Sequence, residues 1–403
     1  MILTMRTVTR RSLARVAAVL MLLAAGVTLS SCGGVRYYAQ AIGGHLEVMR
    51  LARPIEDVAG DPATPPVLRD KLGRAQAMRD FAVRHLGLPD SGSYRRYADL
   101  GRPFVVWNVV ATPEFSVTPV ESCYPVAGCV SYRGWYRESR ARDDAEERVR
   151  EGLDVRVGGV PAYSTLGWFD DPLLNTFLVF PEAEVARLLF HELAHQVVYV
   201  SGDTTFNESF AVAVEEEGVR RWLEANADAN ANAKDGERER YEAFSARRRQ
   251  FVALITVYRD RFKAFYRQTE RDGGAPPAQA EAHAAALAER RAGKARLFAE
   301  LDRDYDKLKT EWGGFAGYDR IMGRNLPAAG TGAPAAGYAM PNNALLAAIV
   351  SYSEWLPAFR ALLRKSPGDM AAFYREVKAL AGVPRAERER RLRELAPAGN
   401  AGT

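Results

Sequence analysis

The run His191-Glu-Leu-Ala-His195 constrains this chain more than any other feature. Its flanks, Val185-Ala-Arg-Leu-Leu-Phe before and Val197-Val-Tyr-Val after, are apolar enough to make a buried helix. Residues four apart share a helix face, so His191 and His195 point two imidazoles in one direction. A buried helix holds two histidines and a glutamate only at a cost unless they have partners. The pattern therefore implies a metal ion, and the chain spends two of its five histidines here. Glu192 lies one step round the helix, near the metal but outside its ligand set. There it can take the proton of a water activated by zinc, the chemistry attached to the H-E-x-x-H pattern.

Catalytic zinc needs a third protein ligand and one open position. Glu208, in Asn207-Glu-Ser-Phe-Ala211, is the first candidate, because a short turn at Ser201-Gly202 can bring the next helix back antiparallel. Thr205-x-x-Glu208 also fits a capping box, in which Glu208 bonds the cap backbone instead. Glu215, two turns further on the same face, is the rival ligand. Asp203 either orients a liganding histidine or caps a turn. Tyr163, Tyr199, Tyr318 and Tyr352 are candidates for the donor that meets a developing oxyanion.

The chain has 403 residues and 47% hydrophobic content, ample for one large domain or two packed subdomains. Its formal net charge is +5, but Arg6, Arg10, Arg11 and Arg15 all fall in the first 32 residues. Without that segment the chain is nearly neutral, so there is no electrostatic case for nucleic acid. Residues 1–32 read as a targeting segment: an arginine-rich start, an apolar run from Val16 to Leu29 too short to span a bilayer comfortably, then Leu29-Ser-Ser-Cys32. That ending resembles the bacterial lipobox, in which the cysteine is lipidated and becomes the new N-terminus. The resemblance implies a lipid anchor on Cys32 and no spanning helix. Gly33 after the cysteine favours the outer membrane, facing the periplasm. Cys123 and Cys129, either side of a Pro/Gly turn in an oxidising compartment, are expected to form a disulfide that stiffens a short loop.

Apolar spacing predicts helices from Tyr37 to Arg53, stopped by Pro54, and from Val67 to His85, entered through Pro65 and Pro66. Phe104–Ala111 and Cys129–Tyr136 are β-rich. A charged helix is expected over Arg140–Asp154, followed by strands at 155–157 and at Ala162–Leu166. The segment 160–168 could offer an edge to an extended peptide. The motif helix is expected from Pro181 to near Ser201-Gly202, and the next from Thr205 to about Leu223. Asn226-Ala-Asp-Ala-Asn-Ala-Asn-Ala reads as a loop. Glu237–Lys309 reads as a long helical hairpin broken at Gly273-Gly-Ala-Pro-Pro, its charge runs solvated. Pro327–Pro334 reads as another loop. Final helices are expected over Asn342–Leu363 and Pro367–Leu380, then a polar tail. The fold class is α+β and mostly helical: a zincin-like domain over 33–403 with a small sheet beside the motif helix. Its core is 36–225 and 310–380, with 226–309 as loop and hairpin insertion.

His191-Glu-Leu-Ala-His195 followed by Asn207-Glu-Ser-Phe-Ala resembles the gluzincin metallopeptidases, including thermolysin and the aminopeptidase N class. That resemblance implies His191, His195 and Glu208 as zinc ligands and Glu192 as base. The Asn-Glu element lies closer to the second histidine than in either family, and Glu215 stands at the thermolysin spacing without the Asn. Gly167-Trp-Phe-Asp-Asp-Pro-Leu-Leu-Asn-Thr-Phe, Cys123-Tyr-Pro-Val-Ala-Gly-Cys-Val-Ser-Tyr-Arg-Gly-Trp-Tyr and Phe190-His-Glu-Leu-Ala-His-Gln together resemble a bacterial aminopeptidase family of proteobacterial lipoproteins. The likeness covers nearly the whole chain after the targeting segment. It implies a peptide substrate and hydrolysis by a zinc-activated water. An endopeptidase, a cell-wall peptide hydrolase and a non-catalytic zinc-binding scaffold are the alternatives.

Overall fold

A computed structural model describes residues 37–124, 128–226, 236–272, 280–324, 340–350 and 354–396. Cys32 and Tyr352 therefore lie outside the described residues, as do 227–233 of the loop expected at 226–233, the loop expected at 327–334 and the hairpin break at 273–277. Two units are distinguished, Met1–Arg50 and Leu51–Thr403. In the first, residues 37–50 are helical, as expected. In the second, α1 (Pro66–Leu86) starts on its proline and ends at Gly87, whose left-handed φ of 63° suits glycine.

Three strands form the main antiparallel sheet: β6 (Arg133–Trp135), β3 (Val106–Pro113) and β7 (Leu153–Val160), in the order β6-β3-β7. β3 pairs with β7 along its length, from Val106↔Val160 to Pro113↔Leu153. Alternation decides its two faces. Trp107, Val109, Ala111 and Val155 pack on Ala141 and Ala145 of α2 (Glu138–Arg150). Val110 turns the other way, against Ala344 and Ala347 of α7 (Asn343–Val350). A smaller sheet joins β1 (Arg53–Pro54), β2 (Arg96–Ala98) and β8 (Leu173–Leu174). β4 (Ser122–Tyr124) and β5 (Gly128–Val130) form a ribbon bridged by the Cys123–Cys129 disulfide.

The motif helix α3 (Glu182–Ala194) and the next helix α4 (Thr204–Ala225) run antiparallel. Contacts of His191 with Glu208 and of Arg187 with Glu215 fix that direction. They come close because Gly218 has no side chain: a Cβ there would sit 2.6 Å from the Phe190 ring. The hairpin of α5 (Glu237–Asp272) and α6 (Ala280–Glu311) packs Phe251, Ile255, Tyr258 and Phe262 against Leu301 and Tyr305 in a core that also takes in Val117 and Leu345, Leu346 and Val350 of α7.

Several boundaries differ from expectation. The motif helix stops at Ala194, with His195 as its cap, and does not reach Ser201-Gly202. The charged helix ends at Arg150; Gly152, at φ 82°, turns the chain into β7. Ala162–Leu166 is no strand, so no edge for a peptide exists at 161–168. Asp171 accepts from the Thr165 amide and folds that stretch into a turn. The segment 342–363 holds two helices, α7 and α8 (Leu356–Lys365), and is followed by α9 (Met370–Ala381). The expected polar tail is a helix, α10 (Arg385–Leu395). Finally, α2 and α7 occupy the two faces of the main sheet, and Tyr132 packs on the α7 side.

Candidate metal centre

The loop between α3 and α4 is held by one side chain. Asn207 accepts from the Val200 amide at 2.8 Å and donates to the Val200 carbonyl at 2.8 Å, as a neighbouring strand would. Asp203 caps α4, accepting from the Phe206 amide at 3.1 Å. It also receives Arg388 of α10 at 2.8 and 3.0 Å. Asp203 is thus a cap with a buried counter-ion, and Thr205 is not the cap. The disulfide ribbon seats against the same loop: a Cβ on Gly128 would lie 2.7 Å from the Gly202 amide nitrogen.

With the loop fixed, Glu208 leaves any capping box and turns to the histidines. Its Oε2 lies 3.3 Å from His191 Nε2, and its Oε1 lies 4.0 Å from His195 Nε2. The two imidazoles and this carboxylate offer ligand atoms all within 4.8 Å of one another. Zinc bonds of 2.0–2.2 Å in a tetrahedron separate ligand atoms by about 3.4 Å. The donor set and its spacing fit that ion with only a small closure. A second acidic and sulfur group, Glu121, Cys123 and Cys129, has both sulfurs committed to the disulfide.

Glu215 meets the other side of the same ring. Its Oε2 lies 2.9 Å from His191 Nδ1, so it faces the nitrogen that Glu208 does not. Glu215 is fully buried and anchored by two guanidiniums: Arg187 of α3 at 3.0 Å and Arg248 of the hairpin at 2.8 Å. A carboxylate on the outer nitrogen fixes ring orientation and tautomer. The geometry thus gives the two rival carboxylates different places.

Charge follows this geometry. Burial pulls His191 down, but the bonds to Glu208 and Glu215 outweigh it and raise the ring to about 10. Burial lowers His195 to about 4, only partly offset by Glu208. Burial works to raise Glu215, yet Arg187 and Arg248 carry it well below the usual carboxylate range. Burial works to raise Glu208 too, but bonding to His191 and the charge interactions with His195 and His191 together carry it below its usual value. A proton on His191 therefore holds positive charge where a metal cation would place it. Burial raises Glu192 to about 7, with the Glu208 and Asp171 charges adding to it. A carboxylate so poised exchanges protons near neutral pH.

Of the tyrosines expected as donors, Tyr318 belongs to the hairpin core, stacked on Phe251 at 4.2 Å. Tyr163 meets Tyr136 edge-on at 6.0 Å. Tyr199 feels the Glu208 charge. Sequence reasoning missed Tyr132, which burial and then the Glu208 charge raise above its usual value, with Glu192 also in reach. It missed Asp171 as well, a buried carboxylate whose charge reaches Glu192. Both stand in runs that carry the family resemblance, but nothing in the spacing of those runs ties either residue to the motif helix.

A family model described as "Putative aminopeptidase" matches residues 36–392. The chain belongs to that family. No curated protein and no solved structure matches it. Membership makes a peptidase the coarse functional assignment, and peptides its substrate class. It covers the hairpin as well as the motif helices, so α5 and α6 lie within the extent of the family's own model.

Proposed function

We propose that this chain is a zinc-dependent peptidase with a zincin-like site. One observation carries the reading: His191, His195 and Glu208 bring ligand atoms within 4.8 Å of one another, with Glu192 buried on the same helix. His191 Nε2, His195 Nε2 and the Glu208 carboxylate would hold the ion. Zinc bound there would polarise the scissile carbonyl and make water a nucleophile at neutral pH. Glu192 accepts the water proton on its carboxylate and delivers it to the leaving amine nitrogen. Glu215 orients His191, and the arginines hold Glu215.

Reconstitution tests this. Metal-free chain should cleave no peptide, and one equivalent of zinc should restore cleavage. Glu192→Gln should retain the zinc and lose activity by roughly a hundredfold or more. A variant that cleaves at the wild-type rate would sink the assignment of the base.

The Cys32 lipobox supports a further part of the proposal: a diacyl anchor at the outer membrane, facing the periplasm. Among the described residues no helix is long and apolar enough to cross a membrane. Labelled palmitate should enter the wild-type chain and not Cys32→Ser; equal labelling refutes the anchor.

A further inference from the structure

The main sheet and α7 border a cavity of about 150 Å³ that the zinc chemistry does not use. Strand alternation builds it. Asn108 and Val110 of β3 stand opposite Gly158 and Arg156 of β7, so all four share the sheet face toward α7. Gly158 keeps the space open: a Cβ there would meet nothing within 4 Å. Val160 and Ala347 add apolar wall. Thr204, the first residue of α4, also lines the cavity. Glu208 lies four residues further along that helix, on the same face and about 6 Å away. The cavity is thus about one helix turn from the candidate metal ligands.

Among the described residues that line it, Arg156 is the one charged side chain. Its Nη1 donates to the Ile321 carbonyl at 3.1 Å, and no carboxylate among the described residues pairs with it. A part-buried guanidinium without an anion is costly, and burial draws Arg156 down to about 10. The Asn108 carboxamide and the Ser131 and Thr204 hydroxyls add neutral donors, and these too have no hydrogen-bond partner among the described residues. A cation and neutral donors with no competing acid select an anion, and the planar guanidinium fork matches a carboxylate. A cavity of this size takes about six non-hydrogen atoms. That is a carboxylate with its α-carbon, nitrogen and one methyl, as in a terminal alanine.

We propose that the Arg156 cavity receives the C-terminal carboxylate of a short peptide that ends in a small apolar residue. The inference rests on the peptidase reading above and narrows its substrates by their length and their carboxyl end. One extended residue spans about 3.4 Å, so the turn from Thr204 to Glu208 leaves about two residues between the receptor and the metal. A long chain would have to continue through the wall of the cavity. Arg156 binds the carboxylate through its free guanidinium nitrogens, and Asn108, Ser131 and Thr204 share its remaining lone pairs. Val110, Val160 and Ala347 face the side chain.

L-alanyl-L-alanine and its C-terminal amide test the receptor. Both are titrated calorimetrically into the zinc-loaded full chain carrying Glu192→Gln, so that binding is read without turnover. The acid should bind roughly 10- to 100-fold tighter than the amide, the range of a charge-assisted bond. Adding Arg156→Met should cut that ratio below about threefold. Adding Gly158→Val instead fills the open space, keeps the charge and should weaken the acid about tenfold. Melting curves and zinc content check that each variant is folded; if Arg156→Met is not, Gly158→Val decides. Equal binding of acid and amide overturns the receptor, as does acid binding that is unchanged in the folded variants. Inorganic phosphate that displaces the dipeptide and binds as tightly would show a general anion site and overturn it too. An acid preference with no cleavage of any peptide by the zinc-loaded wild type defeats the peptidase reading alone. Cleavage of short peptide acids and amides with equal kcat/KM defeats the receptor alone.

Discussion

Replacing Glu215 by Gln separates a metal ligand from a residue that orients one. Glutamine keeps the volume and can still accept from His191 Nδ1, but it removes the charge that faces Arg187 at 3.0 Å and Arg248 at 2.8 Å. Breaking a buried ion pair by neutralising one partner costs about 3–5 kcal/mol. Here the arginine side chains are 17% and 30% exposed, and Arg187 retains Glu184 at 2.8 Å. Both facts lower the cost, to about 3 kcal/mol. Losing a well-held partner on the outer nitrogen weakens metal binding roughly 10- to 100-fold, about 1.4–2.8 kcal/mol. Chelator competition would read the zinc affinity, and melting of the metal-free chain would read the stability. Glu215→Gln should still bind one zinc, more weakly, and melt lower. Glu208→Gln should lose stoichiometric zinc. The opposite pattern, with zinc lost in Glu215→Gln and kept in Glu208→Gln, refutes the division of roles.

Three further outcomes follow from the same geometry. Because His191 is raised to about 10 by its two carboxylates, zinc uptake at pH 8 should release about one proton, and affinity should rise about tenfold per pH unit up to that value. Calorimetry in buffers of different ionisation enthalpy counts the protons, and none released would contradict the bonding. Arg388→Met leaves Asp203 buried without its counter-ion, the two side chains being 5% and 6% exposed, and should cost about 3–5 kcal/mol in denaturant unfolding; an unchanged midpoint would make α10 dispensable. Gly128→Ala must fit a Cβ 2.7 Å from the Gly202 amide nitrogen at φ 75°, which should cost about 1–3 kcal/mol and loosen zinc binding. Wild-type melting and affinity would show that the disulfide ribbon does not brace the α3–α4 loop.

The motif alone determined that a buried helix would carry two imidazoles on one face, because helical periodicity is a local property. Local signals likewise placed α1 on its proline pair, the β-rich segment around Val106–Val110, the cysteine bridge and the hairpin. Sequence reasoning also named Glu208 and Glu215, but it could not say which nitrogen of His191 each would meet. That depended on where α3 stopped, and the stop came early because the Asn207 side chain captured the Val200 backbone from seven residues away. The tail offers the same lesson. Arg385–Leu395 shows almost no apolar face, and it is held by the fully buried Leu392 and by the buried pair of Arg388 with Asp203, 185 positions earlier. The places of Tyr132, Arg248 and Asp171 near the motif helix were not legible for that reason: each owes its place to long-range packing, and one-dimensional spacing carries no record of it.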